Sequence, residues 1–141
     1  MRELLPSAPE MPGAREFAHA LQERGIPIAV ATSSSRALCQ LKLEAHPWLR
    51  DLRPFLCGDD PELARAKPAP DIYLTAAQRL GLPPERCLAI EDSPAGVEAA
   101  LAARMRVVAL VAPQLSRALV RGAHYVVGSY AELTLQGVGL C

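Results

Sequence analysis

The chain has 141 residues, half of them hydrophobic and a fifth charged, which suits one globular domain with a real core and excludes a disordered tail or a fibre. Basic and acidic residues balance at 15 each, so no surplus charge points to nucleic acid or an anionic membrane. No apolar run approaches the roughly 20 residues that span a bilayer, and "MRELLPSAPEMPG" has no signal-peptide core. The expectation is a single cytoplasmic domain over 1–141, with neither nucleic acid nor membrane as partner.

In chain order, "PGAREFAHALQERG" (12–25) sets Ala14, Phe17, Ala18 and Leu21 at helical spacing and ends at Gly25, a good residue to close a helix. "IPIAVATSSS" (26–35) is an apolar run that ends in hydroxyls, as a buried parallel strand would. "SRALCQLKLEAH" continues as a helix with Leu38, Leu41 and Ala45 on one side, and "RPFLCGDD" (53–60) is a short strand. "PDIYLTAAQRLG" (70–81) aligns Ile72, Ala76 and Leu80 on a helix, with Asp71 as its cap.

"CLAI" (87–90) is the third strand; Ser93 and Pro94 open the next helix as N-cap and first helical residue. "MRVVALV" (105–111), a short helix in "QLSRALVRG" and the strand "HYVVG" complete the chain. This alternation predicts an α/β fold, a mostly parallel sheet covered by helices on both faces. The four cysteines form no CxxC pair, which argues against zinc, and Cys57 and Cys87 read as small buried hydrophobes.

Ligands of such sheets bind beyond the carboxyl ends of the strands, where this chain places "TSSS", "GDD" and "ED". Glu91 and Asp92 repel each other unless a divalent cation such as Mg²⁺ relieves them; alternatively Asp92 caps the helix that follows. Thr32, with its hydroxyl and N–H near the start of a helix, binds an anion such as phosphate; alternatively the hydroxyl row serves only to cap that helix through Ser33 or Ser34. Lys67, one of only two lysines, is held in a proline-stiffened loop; it either neutralises a phosphoryl group or is a solvated surface residue, with Asp71 a possible partner.

The ordered segments "GIPIAVATSSS", "LCGDDPE", "KPAPDIYL" and "IEDSPAGVEAALAA" resemble the haloacid dehalogenase superfamily, in particular its branch of pseudouridine-5′-phosphatases and β-phosphoglucomutases. The likeness runs from about Met11 to Leu133. It implies that Thr32 hydrogen-bonds the transferring phosphoryl group, with Ser33 and Ser34 adding contacts. It also implies that Lys67 balances charge on the aspartyl phosphate, that Asp92 helped by Glu91 holds Mg²⁺, and that the substrate is a small phosphorylated metabolite.

The pattern departs from the family at its start. The aspartates are Asp51, Asp59, Asp60, Asp71 and Asp92, and none lies in the family's nucleophilic D-x-D-G-T. The chain resembles the C-terminal half of a member, lacking the first, central strand and the helical cap. The expectation is a core fragment of a phosphatase or phosphomutase, inactive and weak in Mg²⁺ binding by itself; a non-catalytic phosphate-binding or interaction module is the alternative.

The missing strand leaves three outcomes: its neighbours close on each other, another chain fills the slot by self-association or by complementation with an N-terminal half, or the fold suffers. "MRELL" is too short to substitute. Arg104 stands where the family has a helix-ending glycine, a conformation that costs a non-glycine residue about 1 kcal/mol.

Overall fold

A computed structural model describes residues 12–111 and 117–134. The proposed "MRELL" segment, Cys141 and the start of "QLSRALVRG" lie outside the described residues. Among the described residues four helices alternate with five strands: α1 (Ala14–Glu23), β1 (Val30–Ala31), α2 (Arg36–Ala45), β2 (Phe55–Leu56), α3 (Asp71–Leu80), β3 (Leu88–Glu91), α4 (Pro94–Ala102), β4 (Arg106–Leu110) and β5 (Tyr125–Val127). Short 3₁₀ turns at Pro47–Asp51, Pro84–Arg86 and Tyr130–Glu132 were not legible as helices in the sequence, and a fourth lies at Arg117–Val120. The Arg117–Val120 turn is what the structure describes of the expected helix in "QLSRALVRG".

All pairings are parallel, as the alternation predicts. They fall, however, into two sheets: β1 with β2, and β3-β4-β5. Val30 pairs with Phe55 and Ala31 with Leu56 in the first; Leu88 through Glu91 pair with Arg106 through Ala109 in the second. Among the described residues β1 and β3 share no ladder, so direct closure of the two neighbours is not the outcome. The expected strand over 26–35 shrinks to its Val30–Ala31 core because a ladder needs a partner, and β2 reaches only that far.

Alternate strand residues face opposite ways, and both faces are buried. Ala89, Val107 and Ala109 pack with Ile72, Ala76, Val97 and Ala100 of α3 and α4. On the other face, Val108 joins Phe17 and Leu21 of α1, with Leu88 and Ile90 against them. Phe55 and Val30 meet Cys39 and Leu43 of α2 on that same side. The buried stripe of α2 is therefore Cys39 and Leu43, not the expected Leu38, Leu41 and Ala45; the cysteine, a full member of the core, marks the inward face. Cys57 and Cys87 are buried as expected.

Between β1 and β3 runs a cavity of about 560 Å³, lined by Ile28, Val30, Leu88 and Ile90 and flanked by α1 and α3 side chains. Its walls are the two strand edges that face each other without bonding. No helix among the described residues is long and apolar enough to cross a membrane.

Candidate active site

The hydroxyl row follows β1 without a break. The Thr32 N–H donates to the Leu56 carbonyl at 3.0 Å, the last rung of the short ladder. Beyond it the chain turns, and Thr32 Oγ1 accepts the Ser34 N–H at 3.1 Å. Ser35, not Ser33 or Ser34, caps α2, its hydroxyl accepting the Leu38 N–H at 3.3 Å. Capping by Ser35 leaves Ser33 and Ser34 to face the strand ends. The loop after β2 fixes the turn from beside it: the Gly58 N–H donates to the Ser34 carbonyl at 2.8 Å, and a β-carbon on Gly58 would overlap the Ser33 backbone.

The acid pair divides its labour. Glu91 closes β3 with its side chain turned inward, 6% exposed. Its Oε1 accepts hydrogen bonds from Lys67 Nζ and from the Tyr73 hydroxyl. Asp92, the next residue, is exposed. Ser93 caps α4, its Oγ accepting the Gly96 N–H at 3.1 Å, so Asp92 is not spent as the cap. Gly96 is required by space, because a β-carbon there would overlap the Glu91 carboxylate.

Lys67 is not a solvated surface residue. Its side chain is 8% exposed, and Nζ also donates to the Ala31 carbonyl at 3.2 Å, tying the loop to the end of β1. The ammonium stands 5.1 Å from the Tyr73 ring centre. Burial, then the charge and hydrogen bond of Glu91, push the Tyr73 hydroxyl well above its ordinary range, so it remains a donor at any pH of interest. Asp71 does not partner Lys67. As the first residue of α3 it pairs with exposed Arg65 at 2.8 Å, and the Arg65 guanidinium holds its carboxyl below the usual range.

These groups surround one cavity of about 370 Å³ at the carboxyl ends of the strands, where Thr32, Ser33, Ser34, Lys67, Glu91 and Asp92 all contribute to the wall. Lys42 and Tyr130 line it as well. Neither they nor Tyr73 figure in the sequence expectations. Tyr73 was masked by reading α3 as an apolar stripe through Ile72; Lys42 was masked by placing the inner face of α2 on its leucines. A lysine three residues after a buried cysteine on a helix was the signal that could have exposed it.

The described residues make an incomplete fit for Mg²⁺. Asp92 offers a free carboxylate of the right hardness, but the Glu91 Oε1 is engaged by two donors. Among the described residues no three His, Cys, Asp or Glu side chains gather to hold an ion.

The site is thus a strand-end pocket of hydroxyls, a buried lysine and an exposed aspartate, and the comparison with known proteins decides the family. Residues 2–104 match the haloacid dehalogenase-like hydrolases. The chain belongs to that family. A probable pseudouridine-5′-phosphatase of Drosophila melanogaster is 40% identical across 97% of this chain, which spans 61% of the fly protein. Among solved structures, a hydrolase of the family from Deinococcus radiodurans with bound phosphate and sodium superposes with a TM-score of 0.82 at 34% identity, over 96% of this chain and 62% of that one. The protein CbbY of Rhodobacter sphaeroides in complex with phosphate gives 0.85 at 31% identity, over 99% and 64%. The chain thus spans about three-fifths of the length of each of these three proteins.

Proposed function

We propose that this chain forms the phosphate- and metal-binding portion of a Mg²⁺-dependent phosphatase or phosphomutase acting on a small phosphate monoester. The observation that carries the reading is the convergence of Thr32, Ser33, Ser34, Lys67 and Asp92, drawn from the ends of β1 and β3 and from the loop before α3, on one pocket. Two of the similar structures carry phosphate.

In this reading the Thr32 hydroxyl and the Ser33 N–H bind phosphoryl oxygens. Lys67 sets a positive charge beside them, and Glu91 with Tyr73 fixes where that charge stands. Asp92 is the ligand this chain gives to Mg²⁺, which when bound would neutralise phosphoryl charge. Glu91 supports the metal end indirectly, through its hold on Lys67.

Covalent catalysis needs a nucleophile, and these residues hold no D-x-D. We assign that part to a strand seated in the slot between β1 and β3, where both edges have backbone groups to share. By itself the chain is therefore inactive, and it binds Mg²⁺ weakly.

The test is complementation. Purified chain is titrated with a separately made segment carrying an apolar strand and D-x-D-G-T, and p-nitrophenyl phosphate hydrolysis is followed with Mg²⁺ present. Activity that appears only in the mixture supports the reading. Silence from two folded partners that do bind each other favours a non-catalytic phosphate-binding module instead.

A further inference from the structure

We propose that Lys42 is a second phosphate-binding cation of this pocket, meeting the anion from the face of the sheet opposite Lys67. The inference rests on the phosphate-pocket reading above and extends it to a residue outside the hydroxyl, lysine and acid motifs.

Lys42 lies two turns into α2, half-buried beside Cys39 on the flank of the helix's inward side. An inward position on a core helix normally holds an apolar residue, and a lysine is placed there at the expense of desolvating its charge. Its Nζ donates to Ser34 Oγ at 2.9 Å, so the long side chain reaches back along the helix to the hydroxyl row. Lys42 and Lys67 both line the cavity, one from α2 and the other from the loop before α3.

The charges of the pocket argue the same way. Lys67 and Glu91 neutralise each other in a buried pair, so without Lys42 the exposed Asp92 would leave the wall negative. A phosphate monoester carries up to two negative charges and would be repelled by that wall. The described partner of Lys42 is a neutral hydroxyl, so its positive charge is not spent on a carboxylate at that contact. An arriving phosphate oxygen can take the place of Ser34 Oγ, or share the ammonium with it, since a lysine has three donors.

The chain's only lysines are Lys42 and Lys67, which makes a direct measurement simple. Protein labelled with ¹³C-lysine is titrated with inorganic phosphate, and the two ε-methylene signals are followed, assigned through Lys42→Arg. The Lys42 signal should move with phosphate and not with chloride at matched ionic strength.

By ³¹P-detected binding, Lys42→Gln should weaken phosphate roughly tenfold, as loss of a charge-assisted hydrogen bond implies. Lys42→Arg should stay within about threefold, since it keeps the charge. A stationary Lys42 signal while phosphate demonstrably binds overturns the role of Lys42 and leaves the pocket reading intact. Failure of the folded wild-type chain to bind phosphate overturns the pocket reading, and this proposal with it. The labelled wild type answers the question even if Lys42→Gln does not fold.

Discussion

Lys67 and Glu91, 24 residues apart in sequence, form an ion pair in which both side chains are more than nine-tenths buried. The pair ties the proline-flanked loop before α3 to the end of β3, and the Tyr73 hydroxyl and the Ala31 carbonyl complete its hydrogen bonding. A buried pair is weak evidence for stability as such, because desolvation offsets its attraction, but removing one partner strands a charge. Either Lys67→Met or Glu91→Leu alone should lower stability by about 3–5 kcal/mol. The double variant should lose clearly less than the two singles combined. Urea unfolding of the four proteins checks this, and additive losses would mean that the two side chains do not interact.

That pair also marks how far the sequence could be read. The alternating pattern, the glycine stops and the strand-end hydroxyls and acids were legible because each is written in local spacing. Who pairs with whom was not. Asp71 sits four residues from Lys67 yet turns outward to Arg65, whereas Glu91 comes from a distant strand end. Long-range partnership depends on the sheet register, which no local window contains. The split into two sheets has the same origin: the chain announces five strands, but a ladder is a property of neighbours.

Gly96 exists for the sake of Glu91. A methyl group there would overlap a carboxylate that two donors already hold, so the acid or the start of α4 must shift. Gly96→Ala should therefore lower stability by about 1–3 kcal/mol, the usual result of overpacking, even though alanine is intrinsically the better helix former by about 1 kcal/mol. Thermal unfolding that shows Gly96→Ala to be stabilising would contradict the crowding.

Gly58 guards the other wall in the same way. Its N–H holds the Ser34 carbonyl, and an added β-carbon meets the Ser33 backbone rather than a flexible side-chain tip. Gly58→Ala should push the hydroxyl turn away from β2. The expected result is a loss of phosphate affinity larger than the loss of stability, compared by ³¹P titration and urea midpoint on the same sample. An unchanged affinity would show that the turn does not depend on this close approach.

Arg104 ends α4 in the left-handed region, with φ +66°, as the resemblance predicts for a position where the family has glycine. The Arg104 N–H donates to the Leu101 carbonyl at 2.9 Å and the Met105 N–H to the Ala100 carbonyl at 3.1 Å, so the backbone keeps the helix-ending turn despite the side chain. The described ion pair to Glu85 spans 3.9 Å between exposed groups and offsets little. Arg104→Gly should raise stability by about 1 kcal/mol. A lower melting temperature for the glycine variant would count against strain at this residue.

The loop after β2 makes an acid-sensitive element. Asp60 accepts the Cys57 N–H at 2.9 Å and the Arg36 guanidinium at 2.6 Å. Burial works to raise its pKa, but these two hydrogen bonds and the nearby positive charge together hold the carboxyl below its ordinary value. A carboxyl whose folded pKa is depressed stabilises the fold above the unfolded pKa, near 3.9, and loses that contribution as pH falls through the folded value. Asp60→Asn should thus be less stable than wild type at pH 7, by about 1–3 kcal/mol for hydrogen bonds to a charged group. The gap should narrow as the pH drops below about 4. Urea midpoints of both proteins from neutral to acid pH measure it, and a gap that stays constant across that range would show that the ionised Asp60 carboxylate is not what holds this loop.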